Sequence, residues 1–180
     1  MPSNLVEFNH AKRLSSILTS FAWPGEPEEA SIKLRLVQRL ATYHEVMTYG
    51  KYELVHGRIL LVGDTPSPSR PDDVNYHFTP FFSMHNSSRW LNKQLEKYQI
   101  DESRLAWLNS TRFDGTPEDV RIISLLNPSR IIALGGAASK WLGNIQHEVV
   151  GHPQHQKRFL STQEYPLMQL LGGKLIEEQA

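Results

Sequence analysis

Four short apolar runs, each closed by glycine or a polar residue, constrain this chain more than any other feature. Arg58-Ile59-Leu60-Leu61-Val62 runs into Gly63, and Leu105-Ala106-Trp107-Leu108 runs into Asn109-Ser110. Ile131-Ile132-Ala133-Leu134 runs into Gly135-Gly136, and a weaker Glu148-Val149-Val150 runs into Gly151-His152-Pro153. A continuous apolar run suits a strand buried on both faces, as in a parallel sheet.

Helical spacing fills the gaps. After the break at Trp23-Pro24-Gly25-Glu26-Pro27, Ile32, Leu36, Val37, Leu40, Tyr43 and Met47 recur at helical intervals, with Lys33, Arg35 and Arg39 between them. Glu28 and Glu29 suit a helix start, and Gly50 suits a stop. Ser87 to Tyr98 returns to the same period, with Asn86 or Ser87 as cap. Thr116-Pro117-Glu118-Asp119 predicts another helix start, ending by Asn127-Pro128. Ala137 to Leu142 reads as a short helix, and Ser161-Thr162-Gln163-Glu164 has capping-box spacing for a last one. Asp64 to Pro71 is too polar and Pro-rich for helix or central strand.

Strands alternating with helices require crossover connections and hence a mostly parallel sheet. The expected fold is α/β, a three-layer αβα sandwich on a four-stranded, mostly parallel sheet with a helical N-terminal leader. At 180 residues a single domain is expected, with 1–57 as leader, 58–160 as core and 161–180 as C-terminal helix. Apolar content of 39% and four Trp support a packed core rather than disorder. No stretch nears the ~20 apolar residues of a membrane span, and Met1 to Leu14 lack the apolar centre of a signal peptide. With no cysteine, disulfides, thiolate metal sites, iron–sulfur clusters and a Cys nucleophile are excluded, which fits a reducing cytoplasm. Nineteen basic residues balance nineteen acidic ones, which argues against a uniformly basic nucleic-acid coat but not against a local groove.

Open parallel sheets bind ligands beyond the carboxyl ends of their strands. There the expected sheet brings together Asp64, Asn109 and His152, a carboxylate, an amide and an imidazole. Taken singly, each has a plain structural explanation as a turn or loop residue. Other motifs are weaker. Gly135-Gly136-Ala137-Ala138-Ser139-Lys140 lacks the spacing of a phosphate loop, and close helix–sheet packing explains it better. His147, His152 and His155 fit no zinc-ligand pattern, so a solvated loop and no metal are expected. Ser67 and Ser69 lack a nucleophile elbow. Tyr76 to Phe82 is aromatic enough for either core packing or base stacking.

The combined order of these segments resembles the uracil-DNA glycosylase superfamily. Arg58 through Ser67 resembles its first motif, a strand running into Gly-x-x-Pro. Pro80-Phe81-Phe82 resembles the segment that supplies a stacking Phe, and Leu108-Asn109 the strand end that supplies a base-reading Asn. Ile131 to Leu142 resembles its third strand and helix, and Gly151 to Phe159 its second motif, His-Pro followed by basic residues. The resemblance implies a flipped pyrimidine stacked on Phe81, read by Asn109, with Thr65 in the pocket and Asp64 and His152 as catalytic groups. It implies phosphate contacts from Ser67, Ser69, Lys157 and Arg158; around the last two, Lys and Arg outnumber Glu. A cofactor-free, monofunctional hydrolase is implied, acting on DNA as a monomer in the cytoplasm or nucleoid, away from membranes.

The chain also departs from the family. Thr65 stands where the best-known branch has its carboxylate, while Asp64 sits where an iron–sulfur branch has Glu. The four Cys of that branch are missing. Gln154 and His155 replace small residues of the second motif, and Ser67 replaces a bulky Tyr, which implies room for a 5-substituted pyrimidine. Thr65 leaves open a binding module that no longer catalyses, recognising a base, a nucleotide or a partner protein. The neutral charge leaves open an α/β enzyme for free nucleosides or nucleotides.

Overall fold

The computed structural model describes residues 27–64, 86–112 and 115–175. Its centre is a four-stranded parallel sheet of β1 (Ile59–Gly63), β2 (Leu105–Asn109), β3 (Arg130–Leu134) and β4 (Glu148–Val150), in the order β2-β1-β3-β4. All five residues of β1 are buried. Because alternate side chains point to opposite faces, both faces of the sheet are covered. Leu60, Leu61 and Val62 are at most 1% exposed, and burying each such side chain is worth about 1.5–3 kcal/mol. The register pairs Leu61 with Trp107 and Ile132, and Gly63 with Asn109.

The helices are α1 (Pro27–Tyr49), α2 (Asn86–Lys97), α3 (Ile122–Leu126), α4 (Gly136–Leu142), α5 (Pro153–Phe159) and α6 (Pro166–Leu170). The α/β architecture agrees with the sequence. Helix α1 buries Leu36, Tyr43 and Val46 and stops at Gly50, whose φ of +67° favours glycine. Arg39 lies on that buried face. Its guanidinium stacks 3.9 Å above the Trp107 ring, donates to Asn92 Oδ1 at 3.1 Å and pairs with Glu102. Helix α2 packs against α5, and the Trp90 and Tyr165 rings meet at 5.4 Å. No helix among the described residues is long and apolar enough to cross a membrane.

Three expectations fail, each because longer-range partners outbid a local signal. Thr116 to Asp119 starts no helix: Pro117 bridges to Thr111, and the Glu118 N–H donates to the Ser110 carbonyl at 2.8 Å. Glu118 is buried against the Arg112 guanidinium, which donates to both its carboxylate oxygens at 3.2 Å, so α3 begins only at Ile122. Ser161 to Glu164 does not cap the last helix; Tyr165 is the N-cap, without a side-chain bond, because Pro166 needs no N–H partner in the first position. His152 and His155, read with His147 as a solvated loop, instead form the N-cap and the first turn of helix α5. Of the C-terminal helix expected over 161–180, only α6 (Pro166–Leu170) is helical among the described residues; residues 176–180 and the leader before Pro27 lie outside them.

Candidate functional site at the carboxyl edge of the sheet

The strand order reverses direction at β1. The connection from β1 leads to its neighbour β2 on one side, and the next crosses back to β3 on the other. Such a reversal opens a crevice at the carboxyl ends of the two diverging strands. Here those ends are Gly63-Asp64 and Leu134-Gly135, with Asn109 closing β2 alongside.

Asn109 is the last residue of β2 rather than the first after it, directly opposite Gly63. The Ser110 N–H donates to the Gly63 carbonyl at 3.0 Å, which extends the ladder one step and holds Asn109 in place. Its side chain is 2% exposed, and neither Oδ1 nor Nδ2 has a hydrogen-bond partner among the described residues. Buried polar groups are nearly always paired, so a buried amide with both atoms unpartnered among the described residues is a candidate to bind a ligand.

His152 forms the N-cap of α5 and precedes Pro153 in its first turn. The Gln154 N–H donates to His152 Nδ1 at 3.0 Å. The neutral ring therefore carries its proton on Nε2, which is left as a donor. Burial pushes the His152 pKa below 6.5, against an opposing pull from the Asp64 charge, so the imidazole is neutral at pH 7. Asp64, half-buried just after β1, is thus near enough for its charge to act on the His152 ring.

Two supports were missed by sequence reasoning. Gly135 has φ +110°, and a Cβ there would sit 3.2 Å from His152 Cβ. Its N–H also donates to the Val150 carbonyl at 2.8 Å, so the glycine backbone lies flat against the histidine loop. The Gly-Gly pair after β3 was the available signal; its packing partner is the His152 loop rather than the sheet alone. Tyr165, fully buried, donates its hydroxyl to the Gly151 carbonyl next to His152. Burial pushes the phenol pKa far above its usual value, so it stays a donor at any ordinary pH. Nothing local in the sequence marks that contact, because it spans 14 positions.

The remaining candidates divide. Lys157 and Arg158 are exposed in the last turn of α5, at the opposite end of that helix from His152. Arg158 sits 5.4 Å from the Phe159 ring. Thr65, Ser67, Ser69 and Phe81 lie outside the described residues, together with the aromatic stretch around Phe81. His147 lies in the loop before β4, as expected, but is half-buried and bonded rather than fully solvated: its Nε2 lies 2.7 Å from Ser139 Oγ and its Nδ1 contacts the Ile145 carbonyl. Among the described residues no group of three His, Cys, Asp or Glu side chains is placed to hold a metal ion.

Comparison with protein-family models, curated proteins and solved structures finds no match for this chain.

Proposed function

We infer that this protein is a DNA glycosylase-like hydrolase that cleaves the N-glycosidic bond of a flipped-out uracil or 5-substituted pyrimidine. The reading rests above all on Asn109, a buried amide at the carboxyl edge of the sheet, opposite Gly63, with both polar atoms unpartnered among the described residues. A free amide oxygen and amide N–H match the adjacent donor and acceptor on a pyrimidine edge, and an extruded base supplies both.

The chemistry follows from the residue types. The bond from C1′ to the base nitrogen breaks, leaving an oxocarbenium-like sugar and an anionic base. The His152 Nε2–H donates to the developing anion, a role that needs the neutral ring tautomer. The Asp64 carboxylate stabilises the sugar cation and orients the water whose oxygen bonds to C1′. Phe81 stacks on the base with Thr65 beside it, and Ser67, Ser69, Lys157 and Arg158 hold phosphates of the DNA partner. The protein works as a monomer without a cofactor, in the cytoplasm or nucleoid.

The test is an alkaline-cleavage assay on matched oligonucleotides carrying uracil, thymine or 5-hydroxymethyluracil. Base release is expected to fall by about 10²–10³ in Asp64→Asn and in His152→Ala, and Asn109→Ala is expected to lose discrimination between bases. Wild-type turnover in all three variants overturns the site, and strict uracil preference rejects the wider pocket. Thr65, standing where the family carboxylate is usual, favours a second reading, a binding module without catalysis. Tight binding to a modified duplex with no abasic product establishes that alternative.

A further inference from the structure

A cavity of about 270 Å³ opens between α1 and the sheet, against β1 and β2. Neither Asp64, Asn109 nor His152 lines it. Its walls are apolar where they meet the core: Val46 from α1, Leu60 from β1, Ala106 and Leu108 from β2, and Leu126 from α3. Each of these side chains is at most 5% exposed, so the apolar wall belongs to the packed interior and is not a surface dimple.

The charged residues around the cavity are unequally satisfied. Glu102 is claimed twice, by Arg35 Nε at 2.6 Å and by Arg39. Arg35 also donates to the Asn92 carbonyl at 2.9 Å and lies 3.5 Å from Glu96. These two arginines and two carboxylates neutralise one another. Arg58 stands apart. It is half-buried, enters no ion pair among the described residues, and makes one long bond of 3.4 Å to the Leu105 carbonyl. A guanidinium carries five donors in a planar fork that matches a carboxylate, so most of the hydrogen-bonding capacity of Arg58 is unspent beside an apolar chamber.

We propose that this cavity is a binding site for a small amphipathic monocarboxylate, with its apolar body against Leu60, Ala106 and Leu108 and its carboxylate on Arg58. The volume lies just below the roughly 300–1,000 Å³ usual for small-molecule pockets, which limits the ligand to the size of a fused aromatic pair or a medium-length acyl chain. A single uncompensated cation selects a monoanion over a dianion, and over a neutral compound that leaves a partly desolvated guanidinium without an acceptor.

The test uses two probes of equal shape, 2-naphthoate and 2-naphthalenemethanol, titrated into the full chain by calorimetry and by amide NMR. The carboxylate is expected to bind about tenfold more tightly than the alcohol and to shift the Ala106 and Trp107 amides. Arg58→Gln is expected to abolish that preference while leaving alcohol binding in place, and Arg58→Lys to keep part of it. Equal affinity for the two probes, no binding of either at millimolar concentration, or shifts confined to other residues overturns the proposal. If Arg58→Gln does not fold, the wild-type comparison of the two probes decides alone.

Discussion

Replacing Asn109 with Leu is expected to make the protein more stable and to abolish base recognition. The amide is 2% exposed and has no partner for Oδ1 or Nδ2 among the described residues. Leaving one buried donor or acceptor unsatisfied costs about 1–3 kcal/mol, and here two atoms of one group are in that state. Leucine has a similar volume and removes the polar burden. Its different branching costs up to about 1.5 kcal/mol in an interior packed for asparagine. The net expectation is a gain of about 1–3 kcal/mol, which for a chain of 180 residues corresponds to roughly 2–12 °C in melting temperature. Urea unfolding and thermal melting of the variant measure the gain, and the oligonucleotide panel measures the loss. A variant destabilised by more than about 1 kcal/mol would mean that the amide is paired in the native protein, and the argument for a base-reading group would collapse. Wild-type base selectivity in Asn109→Leu would refute it equally. Stability gained at the expense of activity is the usual signature of a group held unsatisfied for function.

Further perturbations test the supports around His152. Gly135→Ala places a Cβ 3.2 Å from His152 Cβ at a φ of +110°; it should destabilise by about 1–3 kcal/mol and lower base release, read by melting and by the cleavage assay. Tyr165→Phe removes the hydroxyl that holds the Gly151 carbonyl, with an expected cost of about 0.5–1.5 kcal/mol and a fall in kcat larger than any change in KM. Burial lowers the folded His152 pKa below its unfolded value of 6.5, so the unfolded chain binds the extra proton first and stability is lost as pH falls from 6.5 toward the folded pKa. Urea midpoints at pH 7.5 and 5.5 should show a smaller drop in His152→Gln than in the wild type. Because the Asp64 charge opposes that lowering, Asp64→Asn should move the His152 pKa further down in an NMR titration; an unchanged value would separate the two residues.

Strands β1, β2 and β3 were legible because their residues are almost all buried and so form continuous apolar runs, which needs no knowledge of the neighbours; the edge strand β4, with Glu148 half-buried and Val149 exposed, gave a weaker signal. The same holds for α1 and α2, whose apolar residues recur at helical spacing. Helix α5 was not legible: Pro153-Gln154-His155-Gln156-Lys157-Arg158-Phe159 buries only Pro153 and Gln156, so no periodic apolar stripe announces it. Its stability comes from its contact with α2 and from the Gln156 amide, which donates to the Leu160 carbonyl at 2.9 Å. The capping signals at 116–119 and 161–164 are real local preferences. They lost to Arg112 and Ser110 in one case and to the position of Pro166 in the other.

The amino-acid sequence alone determined the existence, type and approximate limits of the four strands: burial on two faces is written into the apolar runs of β1, β2 and β3, and a Val-Val pair closed by glycine marks the edge strand β4. It also supplied the polar residues that end those strands. Only the tertiary structure decided that β1 stands between β2 and β3, that Gly135 lies against His152, that the imidazole is half-buried with its pKa lowered, and that the Asn109 amide has no partner among the described residues. Strand order and the pairing of a buried polar atom depend on residues dozens of positions apart, and no local preference encodes them.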